Sequence, residues 1–289
     1  MNCASSAIRA LAVGIAGLAL LGAAAHTTVS VPWQPGNADT FQAGAAEERG
    51  VRSPHGALPV RVYRPAAEGP IPFVVLLHGC GGLKHESMWS RWVEPWVDLL
   101  VAQGIGTAVV DSFGPRRVDQ VCTGRPGVWA VRRADDAYSV RAWLAQQRDV
   151  DATHIAVMGM SNGGRPVLAA LRTALAHPAP FAAGIALDPG CQSDVDSAFY
   201  APLLVLIGSA DTVTPARFCE RMKAAQPASS TELQLVVYRR GPHTFDMDLP
   251  DRTLLGMRLG YDADATADAR RQVIAFLTAR GFTPARAPR

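Results

Sequence analysis

The sequence has little charge, little net charge and few cysteines. Charged residues make up 18% of the 289 residues, and the formal net charge is only +3. Without a dense basic cluster, so small an excess gives no reason to expect nucleic-acid binding. The two arginine doublets, Arg116–Arg117 and Arg132–Arg133, are expected to be solvated or ion-paired. Hydrophobic residues make up 48%, which is typical of a globular protein and not of a disordered one.

Only one apolar run is long, and it lies near the N-terminus. Arg9 precedes apolar residues 10–21, and the small residues 23–25 follow. A basic start, a short apolar stretch and a small-residue site are the features of a secretory signal peptide. The run is too short and too rich in glycine for a good membrane span. We predict a signal peptide at residues 1–25, export to the bacterial periplasm or beyond the cell, and no stable membrane insertion after cleavage.

The cysteines are few enough to count in pairs. Of the five, Cys3 would leave with the signal peptide, and Cys80, Cys122, Cys191 and Cys219 would remain. An even number of cysteines in an exported protein predicts two disulfides. Four cysteines allow three pairings, so their number alone does not fix the partners.

Short apolar runs alternate with helical patterns along most of the chain. Strands are predicted at residues 58–64 (an edge strand), 71–77, 104–110, 154–158, 181–187, 202–207 and 233–238. Helices are predicted at residues 87–103, 131–147, 164–172, 215–225 and 264–280, with the tryptophans of the first packed in the core. This alternation predicts an α/β fold with a mostly parallel, doubly wound sheet and helices on both faces.

The domain organisation is predicted to be simple. The chain shows no internal repeat and no interior linker, so residues 55–289 are expected to form a single domain. Residues 26–54 are polar and contain Pro32 and Pro35, and we expect a loosely held N-terminal segment there.

The pentapeptide Gly159-Met160-Ser161-Asn162-Gly163 lies between a predicted strand and a predicted helix. Strand, G-x-S-x-G and helix together form the pattern of a nucleophile elbow, in which a sharp turn exposes the serine hydroxyl. Glycines at positions 159 and 163 would let strand and helix approach closely. The pentapeptide alone is equally compatible with an ordinary strand-to-helix turn with a capping serine, so the decision depends on its surroundings.

Two further residues complete a catalytic pattern at the ends of later strands. Asp211 and His243 each follow a predicted strand, and the carboxyl ends of parallel strands meet at one edge of a sheet. The order Ser161, Asp211, His243 is that of an α/β-hydrolase triad. Ser161 would be the nucleophile, His243 the general base, and Asp211 the acid that orients the imidazole. Taken singly, Asp211 could cap a helix and His243 could be a loop histidine; their joint order favours the triad.

Neighbouring residues receive supporting or competing roles. The backbone N–H groups of Asn162 and Cys80 are predicted to form the oxyanion hole. His78 is expected to bond to loop backbone. Asp111 and Asp188 also end predicted strands and are rival acids, less favoured than Asp211 because it lies one strand before His243.

The same topology selects a disulfide pairing. Cys80 and Cys122 lie in loops after consecutive strands, while Cys191 follows a strand and Cys219 lies on the helix after the next one. Consecutive elements in such sheets are usually neighbours, so we predict Cys80–Cys122 and Cys191–Cys219. Cys80 as a free thiol nucleophile is the less favoured interpretation.

Several motifs together resemble the dienelactone hydrolase family of α/β-hydrolases over roughly residues 55–280. They are His78-Gly79-Cys80-Gly81-Gly82, Asp111-Ser112-Phe113-Gly114-Pro115-Arg116, Gly159-Met160-Ser161-Asn162-Gly163-Gly164, Gly208-Ser209-Ala210-Asp211 and Gly241-Pro242-His243-Thr244-Phe245-Asp246. The resemblance implies a compact hydrolase without a large lid domain, which cleaves a small-molecule ester or lactone without metal or cofactor. The enzymes that name the family use a cysteine nucleophile, whereas this elbow carries Ser161.

The sequence therefore predicts an exported serine hydrolase that cleaves carboxylic esters or lactones through an acyl-enzyme. One alternative keeps the same triad but acts as a peptidase or polyester depolymerase. Another, of a different class, is a non-catalytic binding protein with a hydrolase fold. The natural substrate and the oligomeric state are left open.

Overall fold

A computed structural model describes residues 25–34, 57–84, 89–123, 130–175, 177–254 and 256–283. The predicted signal peptide, apart from Ala25, lies outside the described residues. So does the greater part of the predicted N-terminal segment, at residues 35–56.

An eight-stranded sheet forms the centre of the described fold, in the order β1-β2-β4-β3-β5-β6-β7-β8. Its strands are β1 (His26–Pro32), β2 (Ala57–Tyr63), β3 (Ile71–Leu77), β4 (Gly106–Val110), β5 (Val150–Met160), β6 (Ala183–Leu187), β7 (Leu203–Gly208) and β8 (Leu233–Tyr238). β2 pairs antiparallel with β1 and β4, and the strands from β4 to β8 pair in parallel. The carboxyl ends of the parallel strands therefore meet at one edge.

Five α-helices among the described residues cover the two faces of this sheet. They are α1 (Glu94–Ala102), α2 (Ala130–Leu144), α3 (Gly164–Leu171), α4 (Arg217–Ala224) and α5 (Ala263–Thr278), and a π-helical turn at Trp89–Val93 precedes α1. α1 and α5 share one core with the sheet, while α2, α3 and α4 share the other. The predicted doubly wound α/β architecture is confirmed. Within the described part of the chain, no helix has both the length and the apolarity needed to span a membrane.

The central strands form where the sequence is apolar on both faces. Every residue of β3 is buried, as expected for a strand covered by helices on both sides. Burying one such Val or Leu side chain contributes about 1.5–3 kcal/mol, so this strand anchors the sheet. β5 is longer than predicted, because its amino-terminal half carries polar residues such as Asp151 that hide the strand pattern.

Trp92 and Trp96 of the first helical segment are buried in the core, as predicted, whereas Trp89 is only partly buried against it. The indole N–H groups of Trp92 and Trp96 donate to one carboxylate oxygen of buried Asp246, at 2.7 and 2.8 Å. Burial raises the pKa of Asp246, and the two indole donors act against that rise. Asp246 follows β8, so these bonds tie the loop after β8 to α1 and to the π-helical turn before it.

The structure corrects two predictions at the periphery and adds one feature. Residues 26–32 are not loosely held but form β1, which pairs with β2 along its whole length. β2 is therefore an interior strand and not the edge strand that was predicted. A two-stranded hairpin, β9 (Arg252–Leu254) and β10 (Met257–Leu259), was not predicted at all, because three-residue strands carry no clear alternation.

Candidate active site

Ser161 lies at the sharp turn between β5 and α3. A 3₁₀ turn at Ser161–Gly163 joins the two elements, and Ser161 has a φ of 53°, in the left-handed region. A side chain at Gly163 would collide with the main-chain carbonyls of Leu77 and His78. The elbow therefore needs a residue without a side chain at position 163, and it holds Ser161 in a strained conformation of the kind that functional sites retain.

Ser161, His243 and Asp211 form a continuous line of hydrogen bonds. His243 Nε2 lies 2.9 Å from Ser161 Oγ, and His243 Nδ1 lies 2.7 Å from Asp211 Oδ2. All three residues are buried, and they follow β5, β8 and β7 respectively. With Nδ1–H donated to the carboxylate, Nε2 is left to accept the proton of the serine hydroxyl. The structure thus brings together the three residues that the sequence selected.

Asp211 is held by more than His243. Its Oδ1 accepts the backbone N–H groups of Val213 and Thr214 at 2.7 and 2.8 Å, and its Oδ2 accepts the Thr214 hydroxyl at 2.6 Å. The alternative role of Asp211 as a local cap is therefore also present, in the turn before α4. The turn contacts fix the Asp211 carboxylate in place, and this supports its hydrogen bond to His243.

Asp188, one of the rival acids, lies directly behind this line. Its two oxygens accept the backbone N–H groups of Gly208 and Thr244, at 3.2 and 3.0 Å. Complete burial and the neighbouring Asp211 raise the pKa of Asp188 well above its ordinary value. Thr244 and Asp188 both have positive φ, so strained residues surround the triad. Asp188 thus anchors the strand and loop that carry Asp211 and His243.

The other rival acid has a different task. Asp111 Oδ1 accepts the backbone N–H groups of Phe113 and Gly114, at 3.0 and 2.8 Å. It therefore shapes the loop after β4.

One oxygen each from Asp188 and Asp211 and one nitrogen of His243 lie within 4.8 Å of one another, close enough to surround a metal ion. Each of these residues, however, already has hydrogen-bond partners within the fold. These oxygen and nitrogen atoms are therefore arranged as a hydrogen-bonded acid and base.

The two predicted oxyanion residues border the same cavity as the triad. Cys80 and Asn162 line a cavity of about 340 Å³ together with Ser161 and His243. Cys80 is joined to Cys122 by a disulfide, and the Cys80 carbonyl accepts the N–H of Val121 at 2.8 Å. The turn after β3 is therefore fixed to the loop after β4.

The second disulfide joins Cys191 to Cys219, so both predicted pairs are present. Cys191 follows β6, Cys219 lies on α4, and both side chains are buried in the core that α4 shares with the sheet. This disulfide ties α4 to the loop after β6.

The walls of the cavity are mainly apolar. Lining side chains of this kind include Val121, Met160, Val213, Met247, Met257 and Leu259. Met257 and Leu259 come from the unpredicted hairpin β9–β10, and Arg165 and Arg252 also line the cavity. The backbone N–H of Arg258 donates to the Thr212 hydroxyl at 3.1 Å, and this bond holds the hairpin beside Asp211. A small ligand with an apolar part would fit such a space.

His78 has the structural role that the sequence predicted. It is completely buried, and its Nδ1 lies 2.8 Å from the carbonyl of Gly79. Burial, and then the charge of Arg133, lower the pKa of His78 well below its ordinary value. His78 is therefore neutral near pH 7 and holds the turn that contains Cys80.

Within the arginine doublets, Arg133 departs from its expected role, whereas Arg117 is exposed as expected. Arg116 and Arg133 are both buried. Arg116 makes two hydrogen bonds to the buried carboxylate of Asp136, so the ion-paired expectation holds for it. Arg133 instead donates to groups in the turn after β3 and in the elbow. No local sequence signal marks this contact, because α2 and its two target loops are far apart along the chain.

Comparisons with known proteins agree with this architecture. The family model described as the dienelactone hydrolase family matches residues 58–280. A protein from Klebsiella pneumoniae assigned as a dienelactone hydrolase superposes with a TM-score of 0.62 at 20% identity, over 88% of this chain and 99% of that one. The apo form of esterase 2 from Thermogutta terrifontis has a TM-score of 0.58 at 18% identity, over 81% and 92% of the two chains.

A third similar structure belongs to a much longer protein. Dipeptidyl peptidase 4 from Porphyromonas gingivalis has a TM-score of 0.61 at 17% identity, and the match covers 89% of this chain but 36% of that one. At such identities the three structures establish the α/β-hydrolase fold alone. No curated protein sequence matches this chain.

Proposed function

This chain belongs to the dienelactone hydrolase family, and from that premise we propose that it hydrolyses small carboxylic esters or lactones through a covalent acyl-enzyme on Ser161. The observation that carries the proposal is the line of hydrogen bonds from Ser161 Oγ through His243 to Asp211, with distances of 2.9 and 2.7 Å. A serine hydroxyl is a weak nucleophile until an adjacent base removes its proton, and this geometry supplies that base.

Acylation would begin with attack of Ser161 Oγ on the ester carbonyl carbon, while His243 Nε2 takes the hydroxyl proton. Asp211 would stabilise the resulting imidazolium, and the N–H groups of Cys80 and Asn162 would stabilise the oxyanion. Collapse of the tetrahedral intermediate breaks the bond to the leaving alkoxide, which receives the proton from His243. The products of this step are an alcohol and an ester of Ser161.

Deacylation would repeat these roles with water in place of serine. His243 removes a proton from water, whose oxygen attacks the Ser161 ester, and the second tetrahedral intermediate releases a carboxylic acid. His243 returns its proton to Ser161 Oγ, so the enzyme is regenerated and no cofactor is consumed.

The cavity favours a small substrate with an apolar acyl or alcohol part. Its volume of about 340 Å³ lies at the small end of the usual range for ligand sites, and its walls are largely apolar. A short ester or a lactone of similar size would place its carbonyl beside Ser161 while the apolar wall excludes water.

Export is part of the same proposal. The predicted signal peptide would direct the chain out of the cytoplasm, and the two disulfides fit an oxidising compartment. The mature enzyme would then act in the periplasm or outside a bacterial cell.

The test is hydrolysis of p-nitrophenyl acetate and butyrate by the mature protein and by two serine variants. We expect wild type and Ser30→Ala to be equally active, since Ser30 is exposed on the edge strand β1. We expect Ser161→Ala to lose about 10⁴-fold or more in kcat. Equal activity of Ser161→Ala and wild type would rule out Ser161 as the nucleophile. An inert wild type, with no serine labelled by a fluorophosphonate, would favour the binding-protein alternative.

A further inference from the structure

Arg133 makes an unusual set of contacts for an arginine. It is completely buried on α2, and the acceptors of its guanidinium among the described residues lie in two loops. It donates to the carbonyl of His78 at 2.6 Å, and to the carbonyl and side-chain oxygen of Asn162 at 3.0 and 2.7 Å. Burial of a guanidinium is costly unless its N–H groups donate hydrogen bonds. Both Nη atoms of Arg133 donate, while its buried Nε has no acceptor among the described residues.

The acceptors of Arg133 lie on both sides of the predicted oxyanion hole. His78 begins the turn that contains Cys80, and Asn162 follows the nucleophile in the elbow. These two loops touch directly, because Gly163 packs against the carbonyls of Leu77 and His78. The planar guanidinium therefore spans a junction whose spacing sets the distance between the two N–H donors.

Arg133 also remains charged at neutral pH. Burial lowers its pKa to about 9, while the nearby Asp136 opposes that change. Its guanidinium carbon lies 5.1 Å from the centre of the Phe113 ring, which covers it on one side. A charged group in such a dry site holds carbonyl dipoles strongly, because the local dielectric constant is low.

We propose that Arg133 is a positioning residue that fixes the two oxyanion-hole loops at the separation required by the tetrahedral intermediate. This inference rests on the proposed function. Arg133 acts through the backbone of residues 78–80 and through the backbone and side chain of Asn162, and the described lining of the cavity is formed by other residues. Its removal should therefore weaken binding of the transition state more than binding of the ester.

Arg141 offers a matched control on the same helix. It too donates to main-chain carbonyls, those of Pro180 and Ala152, at 3.0 and 3.3 Å. These carbonyls lie at the amino ends of β5 and β6, opposite the catalytic edge. Arg133→Met and Arg141→Met thus both remove hydrogen bonds from a guanidinium to main-chain carbonyls. The first removes them at the carboxyl ends of the parallel strands, and the second at the amino ends.

The kinetic test compares both variants with wild type on p-nitrophenyl butyrate. We expect Arg133→Met to lower kcat about 10–100-fold, since full loss of one oxyanion donor costs about 10²–10³-fold. KM and the apparent pKa of kcat/KM should stay near the wild-type values, and Arg141→Met should keep wild-type kcat. A phenylboronic acid, which forms a tetrahedral adduct with a serine oxygen, should lose affinity in parallel with kcat/KM.

Two further measurements keep the inference testable. If Arg133→Met does not fold, Arg133→Lys is measured in its place. The lysine ammonium reaches fewer of the three acceptors, so kcat should fall while the fold is kept. Hydrogen exchange should rise at residues 78–83 and 161–164 in Arg133→Met, but not in Arg141→Met. Exchange requires no turnover, so it decides the role of Arg133 even if the wild type is inactive and the proposed function fails.

Three results would overturn the inference. The first is a folded Arg133 variant with kcat within about threefold of wild type. The second is an equal loss of kcat in Arg141→Met. The third is unchanged exchange in the two loops.

Discussion

The two halves of the site are held in place by opposite kinds of charge. The half that we name the oxyanion half, after the proposed oxyanion hole, consists of the turn at residues 78–82 and the elbow at residues 161–163. The base half consists of the loops after β7 and β8. In the oxyanion half, the buried cation of Arg133 donates to main-chain carbonyls. In the base half, the buried carboxyl groups of Asp188 and Asp211 accept main-chain N–H groups.

This difference matches the charges that ester hydrolysis develops. A cation that occupies carbonyl oxygens leaves N–H groups of the oxyanion half to face a developing negative charge. In the base half, Asp188 and Asp211 occupy main-chain N–H donors, and the carboxylate of Asp211 supplies negative charge beside an imidazole that becomes positive. The oxyanion half therefore has main-chain N–H groups left to donate, and the base half has acceptors left, on the two sides of Ser161.

The largest expected effect separates the two acids of the base half. Asp211→Asn should lower kcat/KM by about 10⁴-fold, because an amide in contact with Nδ1 favours the wrong imidazole tautomer. Asp188→Asn should cost less than about tenfold, since the described hydrogen bonds of the Asp188 carboxyl go to loop backbone, whereas Asp211 is the acid bonded to the imidazole. Steady-state kinetics on p-nitrophenyl acetate measures both. A greater loss in Asp188→Asn would make Asp188 the orienting acid.

The next effect tests how closely the elbow must approach the turn after β3. Gly163→Ala places a methyl group against the carbonyls of Leu77 and His78, and should cost about 1–3 kcal/mol of stability. The displaced elbow should also lower kcat by about 10²-fold, since it carries one of the two proposed oxyanion donors.

Gly164→Ala is the matched control, because its methyl group would meet Pro189 Cβ at 3.0 Å and would not press on the turn. Urea unfolding and kinetics together separate the two variants. Equal kcat in both would show that the junction tolerates displacement.

A smaller effect on activity distinguishes the two disulfides. Replacing either pair by alanines should lower the free energy of unfolding by about 2–4 kcal/mol. Only the pair Cys80–Cys122 anchors a turn of the oxyanion half, so only its removal should lower kcat, by about tenfold. Removal of Cys191–Cys219 should leave the kcat of the folded protein unchanged. The reverse pattern would place the critical anchor in the base half.

The smallest effect is a pH dependence of stability. Burial raises the pKa of Asp188 above its ordinary value of 3.8, so above that pH the folded protein keeps a proton that the unfolded chain releases. The contribution of Asp188 to stability must then fall as pH rises from about 4 through its raised pKa. The unfolding free energy of wild type minus that of Asp188→Asn should decrease over this range in urea titrations. A difference that increases with pH would mean that the buried carboxyl is held as a carboxylate.

The sequence predicted those parts of the fold and site that depend on local pattern. β3 was predicted to the residue because all seven of its side chains are apolar and buried. Ser161, Asp211 and His243 could be selected because strand ends in a parallel sheet converge, whatever the details of packing. The cysteine pairing followed from the same neighbour rule.

The remaining features depend on contacts between distant segments. Arg133 lies 55 residues from His78 and 29 from Asn162, so no spacing rule links them. Asp246 accepts indole donors from residues 150 and 154 positions away, which the local sequence does not indicate. β1 and the hairpin β9–β10 are short or largely exposed, and their pairing partners, not their composition, make them strands.

The most direct test of the account is to locate the nucleophile by labelling with a fluorophosphonate and peptide mass mapping. The account predicts a single adduct on the peptide that contains Ser161, and no adduct in Ser161→Ala. His243→Ala should be folded but labelled far more slowly, because its serine lacks a base. An adduct on another residue, or ester hydrolysis by a protein that is never labelled at Ser161, would contradict the account.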